Sequence, residues 1–472
     1  MKKTVFFAYF LIFALLLAVP AQAAEAEAAE SLPEETAETT EVLPEDPGIL
    51  AKAALLVDLN DNGKLLYGKN EHQELYPASL TKIMTCLLVL EAVEEGRLSL
   101  DTEITASDIV WTLPRDSSSA NILPGEIMSV RNLLYCLMVV SANESAEVLA
   151  EAVSGTVERF VTAMNQKAIS LGCEHTHFVN TNGLHDEDHY TSAWDMALIT
   201  REAMKYPAFM TLCDTDRIVL PATNLSGERT QFSTNHLISN WRLRGYKNEE
   251  VHGVKTGSTS QAGYCLVSTA QRGREHYLSV IMGADRVTEN NGTVNYRSFS
   301  ETTRLFNWGF DNFGYATILE EGEPIQEVPV SLSRVDHVVA VASRSIETLM
   351  PVKLEASMLE RVAHLEEETV EAPVEEGQRL GTLELRYQGV VYGTADLLAS
   401  HSVERSRMMA AQKRASEIVH SPAVWIGAAV IAAGAAAFFA RSLIFGRRRY
   451  RYGKAVSGRR DGYRGGRRRS GR

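Results

Sequence analysis

Residues 77–96 read Pro-Ala-Ser-Leu-Thr-Lys-Ile-Met-Thr-Cys-Leu-Leu-Val-Leu-Glu-Ala-Val-Glu-Glu-Gly, and the rest of the chain is organised around them. From Ser79 to Glu95 the pattern predicts a helix. Leu80, Ile83, Met84, Leu87, Leu88, Leu90 and Val93 leave it almost no polar face, so it belongs inside a core rather than on a surface. Gly96 ends it. Ser79 stands where a helix start leaves backbone N–H groups unpaired. Lys82 follows three residues later, one turn along on the same face. A serine at a helix start is ordinarily only a cap. A lysine in a helix that is otherwise apolar needs a further reason. Burial disfavours its charge, and a second cation nearby disfavours it further. Uncharged, it can take the serine proton and make Ser79 a nucleophile.

Upstream, Ala53–Asp58 and Lys64–Tyr67 flank a turn at Asn60-Asp61-Asn62-Gly63 and predict a hairpin. Downstream, helices are predicted around 131–153, 155–171 and 192–204, strands at 262–270 and 277–283, and a helix at 297–308. Helices set between strands of one sheet imply an α/β or α+β domain over 48–314. From 316 to 400 the texture changes: Val328, Val330 and Leu332, then Leu383, Leu385 and Tyr387, alternate with polar residues. This predicts a small all-β domain. Residues 403–420 read as a juxtamembrane helix.

The two ends differ in charge. The last 32 residues carry 13 Lys and Arg against one Asp, a net of +12, so the remainder carries −25 of the overall −13. At the start, Met1-Lys2-Lys3, an apolar run from Val5 to Val19 and Ala21-Gln22-Ala23 predict a signal peptide over 1–23 and export from the cytoplasm. Residues 24–47 are acidic and proline-bearing with few large apolar groups, which predicts a disordered linker. Ala423 to Ala440 holds no charge, and at about 1.5 Å per residue it reaches roughly across a hydrocarbon core. A transmembrane helix over 423–445 follows. Arg441 and Arg447-Arg448-Arg449 then place the basic tail, 446–472, in the cytoplasm and the body outside. Attraction to anionic inner-leaflet lipids, or topology control alone, is the reading preferred for the tail, and no nucleic-acid partner is expected.

Two more short motifs lie downstream of Ser79 and Lys82. Ser141-Ala142-Asn143 follows an apolar run, and Lys255-Thr256-Gly257 precedes a strand that begins near Gly263. Ser141 offers a hydroxyl to relay a proton to a leaving amine, and Asn143 an amide to hold a substrate peptide group. Lys255 and Thr256 suit a substrate carboxylate, and Lys255 is the candidate second cation beside Lys82. Gly257 permits close backbone approach. The N–H groups of Ser79 and Ser258 can form an oxyanion hole. Each motif alone is a weak signal; the ordered trio is a strong one.

In these motifs the chain resembles the serine D-Ala-D-Ala carboxypeptidases, the low-molecular-mass penicillin-binding proteins of peptidase family S11. PASLTKIMT (77–85), LPGEIMSVRNLLYCLMVVSAN (123–143), FVNTNGLHDEDHYTSAWDMA (178–197), GVKTGSTSQAGYCLV (253–267) and LFNWGFDNFG (305–314) are similar to family text. The likeness spans about 48–400. It implies an α/β (α+β) penicillin-binding, β-lactamase-like transpeptidase domain, then a small β domain. It implies that Ser79 attacks the carbonyl between the last two D-alanines of a peptidoglycan stem peptide, with Lys82 as general base. Ser141 with Lys255 returns the proton, and Lys255 and Thr256 hold the terminal carboxylate. β-Lactams would acylate Ser79, and no metal or other cofactor is needed. Where relatives commonly carry Asp-Ala after S-x-N, this chain has Glu144-Ser145. Many relatives end in an amphipathic surface helix, which the apolar run near the C-terminus replaces.

Three alternatives remain at this point. A class A β-lactamase shares the trio but needs a glutamate in an E-x-x-L-N run between the second and third motifs, which this sequence lacks. A zinc hydrolase is suggested by His185 and His189, but without H-E-x-x-H a solvated loop is the reading preferred. A wall-binding scaffold without catalysis is the non-enzymatic alternative. The five cysteines have no metal-ligand spacing, and those at 86, 136 and 265 lie in apolar stretches expected to pack in the core.

Overall fold

The computed structural model describes residues 42–446 apart from Arg115 and Asn291. The expected signal peptide, most of the acidic linker and nearly all of the basic tail lie outside the described residues.

The chain opens with β1 (Ala53–Asp58) and β2 (Lys64–Lys69), a hairpin through the expected turn. A 3₁₀ turn at Ala78–Thr81 leads into α1 (Lys82–Glu94). A short ribbon, β3 (Glu103–Thr105) with β4 (Ile127–Ser129), precedes α2 (Val130–Val139), α3 (Asn143–Ser154), α4 (Val157–Ser170), α5 (Ala193–Ala203) and α6 (Pro207–Cys213). A second ribbon, β5 (Arg217–Leu220) with β6 (Arg229–Phe232), leads to β7 (Val251–Thr259), β8 (Gly263–Arg272), β9 (Glu275–Ala284) and α7 (Arg297–Asn312).

The main sheet runs β2-β1-β9-β8-β7, with every neighbouring pair antiparallel. Helices cover both its faces. Ala53, Leu55 and Val57 of β1 join the core under α1, while Ala54 and Leu56 join a second core with Phe299, Leu305 and Phe306 of α7. This two-sided burial is why β1 reads as an unbroken apolar run rather than an alternating one. Helix α1 is buried nearly all round, as its sequence requires; each fully buried large aliphatic side chain contributes about 1.5–3 kcal/mol.

One expectation is corrected, and one strand is added. The helix expected over 131–153 breaks at Val140–Ala142, where Ser141 takes a left-handed φ of 66° and lines a cleft instead of continuing a helix. The Lys255-Thr256-Gly257 motif precedes the strand that begins at Gly263, as expected, but it also lies in a strand that was not expected, edge strand β7, whose residues Val251, Gly253, Val254, Lys255 and Gly257 are buried. A strand rich in Gly, Lys, Thr and Ser carries little of the apolar signal used to find strands.

Beyond α7 the chain is β-rich. Strands at 360–365, 379–387, 390–399, 337–342, 324–331 and 370–371 form a six-stranded sheet in that order, and Phe313–Leu319 pairs with Ile346–Pro351. This part meets the main sheet at the β8–β9 turn, where Arg274 donates to Glu347 at 2.7 Å and Tyr315 Oη donates to Asp58 at 3.0 Å. That turn is at the opposite end of β8 from the β7–β8 turn beside the Lys255 motif. Helix α8 (Arg407–His420) starts four residues later than expected, because Val403 still pairs with Val374 and Ser406 caps the helix. Helix α9 (Pro422–Gly446) includes Pro422–Ile444, an exposed stretch long and apolar enough to cross a membrane. All five cysteines are unpaired, and Cys86, Cys136, Cys213 and Cys265 are buried.

Candidate active site

The head of α1, the α2–α3 break and the end of β7 meet at one cleft. Ser79, Ser118, Ser141, Thr256, Gly257 and Ser258 line it around a volume of about 190 Å³. Lys82, Asn143 and Lys255 lie just behind this wall, each at most 3% exposed.

Lys82 Nζ has three neighbours: Ser79 Oγ at 2.9 Å, Asn143 Oδ1 at 2.6 Å and the Asn182 backbone oxygen at 2.6 Å. An uncharged amine has two N–H bonds and one lone pair. The two carbonyl oxygens can only accept, so they take the two hydrogens. The lone pair is left for the hydroxyl, the one neighbour of the three that can donate. In the uncharged amine the geometry thus aims the lone pair at the Ser79 hydroxyl.

Burial pushes the Lys82 amine well below the usual lysine range, and the charge of Lys255 pushes it further, as expected; Glu144 and Glu147 oppose this. Burial lowers Lys255 to about 7. Its amine donates to the Thr256 backbone oxygen at 2.9 Å, and the Thr256 hydroxyl pairs with that of Thr234 at 2.6 Å. Ser141 Oγ is buried with no hydrogen-bond partner. Asn143, expected to hold substrate, commits its oxygen to Lys82 and keeps its Nδ2 for other partners. Gly257 lies against the turn that carries Ser79: a Cβ there would stand 3.1 Å from Ser79 N and 3.0 Å from Pro77 O. The close approach expected of it is therefore to this protein's backbone as much as to a substrate's.

The 178–191 segment holds residues whose roles the motifs do not reveal. His189 is not in solvent, contrary to the reading of 185–189 as a solvated loop; it is 2% exposed. Val179 N–H donates to His189 Nδ1 at 3.0 Å, so Nε2 carries the hydrogen and donates to Thr81 Oγ1 at 2.8 Å. Thr81 in turn donates to Ala78 O at 2.8 Å. Burial holds His189 at about 4, so this chain of bonds stays neutral and intact at neutral pH. It braces the turn that carries Ser79.

Gly183 packs on the same turn with φ of 85°, and a Cβ there would fall 1.8 Å from Ala78 O. Gly183→Ala is therefore expected to destabilise the fold by about 1–3 kcal/mol. Displacement of the Ser79 turn should also slow acylation by a penicillin about 100-fold. Stopped-flow acylation and thermal melts check both; wild-type acylation in this variant would show that the 178–191 segment does not brace the Ser79 turn.

A sheet covered by helices on both faces, with a serine–lysine pair at the head of a buried central helix and a Lys-Thr-Gly edge strand across the cleft, defines the penicillin-binding transpeptidase-like fold. Comparison with known proteins gives the particular family. Residues 39–286 match the family model for D-alanyl-D-alanine carboxypeptidase, peptidase S11, and 313–405 match the penicillin-binding protein 5 C-terminal domain. The chain belongs to the S11 D-alanyl-D-alanine carboxypeptidase family. It is 30% identical over 371 residues to the D-alanyl-D-alanine carboxypeptidase DacF of Bacillus subtilis, covering 77% of this chain and 88% of the relative. It is 31% identical over 360 residues to DacA of Haemophilus influenzae, covering 76% and 86%. Among solved structures it resembles penicillin binding protein 5 from Haemophilus influenzae, with TM-score 0.58, 30% identity and coverage of 76% and 99%. It also resembles penicillin binding protein 6B from Escherichia coli, with TM-score 0.57, 27% identity and coverage of 79% and 100%.

Proposed function

We propose that the protein removes the terminal D-alanine from peptidoglycan stem peptides ending in D-Ala-D-Ala, limiting the donors for cross-linking, and that β-lactams inhibit it by acylating Ser79. The observation that carries this reading is the buried Lys82 amine, 2.9 Å from Ser79 Oγ and 2.6 Å from each of two carbonyl oxygens, which when uncharged leaves its lone pair for Ser79. Ser79 Oγ attacks the carbonyl of the penultimate D-alanine while its proton passes to Lys82 Nζ. The N–H groups of Ser79 and Ser258 receive the developing oxyanion. Ser141, with Lys255, returns that proton from Lys82 to the nitrogen of the departing D-alanine, which leaves Lys82 uncharged and Lys255 still protonated. Lys255 and Thr256 hold the terminal carboxylate, and Asn143 Nδ2 is free to hold a peptide carbonyl of the stem. Water then hydrolyses the Ser79 ester.

The same reading puts the body outside the cytoplasm. Residues 1–23 act as the export signal, 24–47 as a spacer, 48–314 as the catalytic domain and 316–400 as the β domain. Helix α9 crosses the membrane once, with the basic tail inside. The fully exposed apolar surface of α9 supports this, because eighteen or more apolar residues without a protein partner belong in lipid.

Incubation with a stem pentapeptide should yield free D-alanine and a tetrapeptide by mass spectrometry. An unconsumed pentapeptide, with the protein folded, overturns the reading. The pH dependence carries a second mark. Lys255 must be protonated to hold a carboxylate, so kcat/KM should fall as pH rises through about 7, where its amine loses the proton. In Lys255→Arg, whose guanidinium stays charged, that alkaline limb should disappear.

A further inference from the structure

The carbonyls that orient the Lys82 amine are both organised by α3. Asn143 presents one of them directly. The other belongs to Asn182, and Asn182 Nδ2 donates to Glu147 Oε1 at 2.6 Å. Glu147 lies four residues beyond Asn143, one helical turn along on the same face. It is 6% exposed, and the buried Thr181 hydroxyl, which has no other partner, faces the same carboxyl. A carboxylate buried this deeply next to a reacting pair calls for an explanation beyond helix solvation. Its neighbour Glu144 acts elsewhere. It accepts from Ser119 Oγ, Ala120 N and Ile122 N, and so fixes the cleft wall around Ser118.

We infer that Glu147 is a positioning residue for the general base: it pins Asn182 so that the Asn182 carbonyl takes one hydrogen of the Lys82 amine and keeps the amine's lone pair on Ser79. The inference rests on Lys82 being the base, as proposed above. Glu147 touches neither substrate nor Ser79 and acts only through Asn182 and through its charge.

The charge effect has a definite sign. The groups that face Lys82 are Lys255 from β7, Glu144 and Glu147 from α3, and His189 from the 178–191 segment; Glu151 faces Glu147 from the next turn of α3. Lys255 disfavours the ammonium form, and the two glutamates favour it. His189 is neutral at neutral pH and adds no charge. Acylation needs the uncharged amine, so it is lost as pH falls through the Lys82 midpoint. Removing the Glu147 charge lowers that midpoint and moves the acid limb to lower pH.

Glu147→Gln keeps an acceptor for Asn182 Nδ2 and gives Thr181 a donor, while removing the charge. Its acylation by a penicillin should stay within about threefold of wild type on the plateau, with the acid limb moved to lower pH. Glu147→Ala removes the acceptor. Its acylation rate constant should fall about 10- to 100-fold with little change in the concentration dependence, because the lone pair loses its aim and the binding groups do not move. Circular dichroism melts accompany both. The inference is overturned if the Gln variant keeps the wild-type acid limb, or if a folded Ala variant acylates within twofold of wild type. Should the Ala variant not fold, the Gln limb decides alone. Lys82→Met separates the two readings: if it acylates at the wild-type rate, the assignment of the base fails, whereas its silence with wild-type behaviour of the Glu147 variants sinks only the role of Glu147.

Discussion

Ser79→Ala is expected to abolish covalent labelling by a fluorescent penicillin and D-alanine release together, each by on the order of 10⁴- to 10⁶-fold. Among the described residues no other hydroxyl is placed to substitute. Ser141 Oγ, the hydroxyl of the S-x-N motif, is not hydrogen-bonded to the Lys82 amine, whose three contacts are Ser79, Asn143 and Asn182. The variant should remain folded, because the Ser79 hydroxyl bonds only that amine and the turn around it is held by Thr81, His189 and Gly183. The loss of one such bond costs about 1 kcal/mol. Reversible binding should persist, since Thr256, Ser258 and Asn143 are untouched. Intact-protein mass spectrometry reads the adduct and a D-alanine assay reads the turnover. Release that survives in this variant would transfer the chemistry to another group.

The difference between what the sequence makes legible and what it hides follows the range of the contacts. Helix α1 is legible because its apolar residues are neighbours in the chain and burial on all sides leaves a continuous record. Ser79 and Lys82 are legible because three residues on a helix is a spatial statement as well as a sequence one. The Ser141 and Lys255 motifs gain meaning only as an ordered set, through resemblance to a family. Strand β7 escapes period-based reading because a cleft edge needs small and polar residues where a core strand would carry Val or Ile. The break at Ser141 escapes because Val130 to Ser154 keeps helical periodicity across it; only the left-handed φ at Ser141 records the turn. His189, Asn182 and Glu147 are hidden for another reason. Thr81 and His189 are 108 residues apart, and Lys82 and Asn182 are 100 apart. A histidine among aspartates and a glutamate on a helix look like solvated residues until the fold buries them against the nucleophile's turn.

Lys82→Met should lower acylation by on the order of 10²- to 10⁴-fold, the range general-base catalysis supplies, and should do so without collapsing the core. Methionine is unbranched and apolar and nearly fills the lysine's buried volume, so packing against α1, α3 and the 178–191 segment survives. What is lost is the lone pair, together with the two N–H bonds to Asn143 Oδ1 and Asn182 O. Unpartnered carbonyls cost about 1–3 kcal/mol, so a modest fall in stability at high pH is expected. The pH dependence then identifies the amine. In the wild type the Lys82 midpoint is depressed on folding, chiefly by burial. Between that depressed midpoint and the ordinary lysine value of 10.5, the unfolded chain binds a proton that the folded chain does not. Wild-type stability therefore rises with pH across this window, and as pH falls it declines until the folded midpoint is passed. Lys255, lowered by burial in both proteins, contributes a slope of the same sign to each. The Met variant lacks the Lys82 share, so its stability deficit against wild type should shrink as pH is lowered, which melts at stepped pH will follow. Its residual acylation should show no acid limb from this group. A deficit that stays constant with pH, or an acid limb that survives the substitution, would mean that the amine is charged in the resting fold and that the base is another residue.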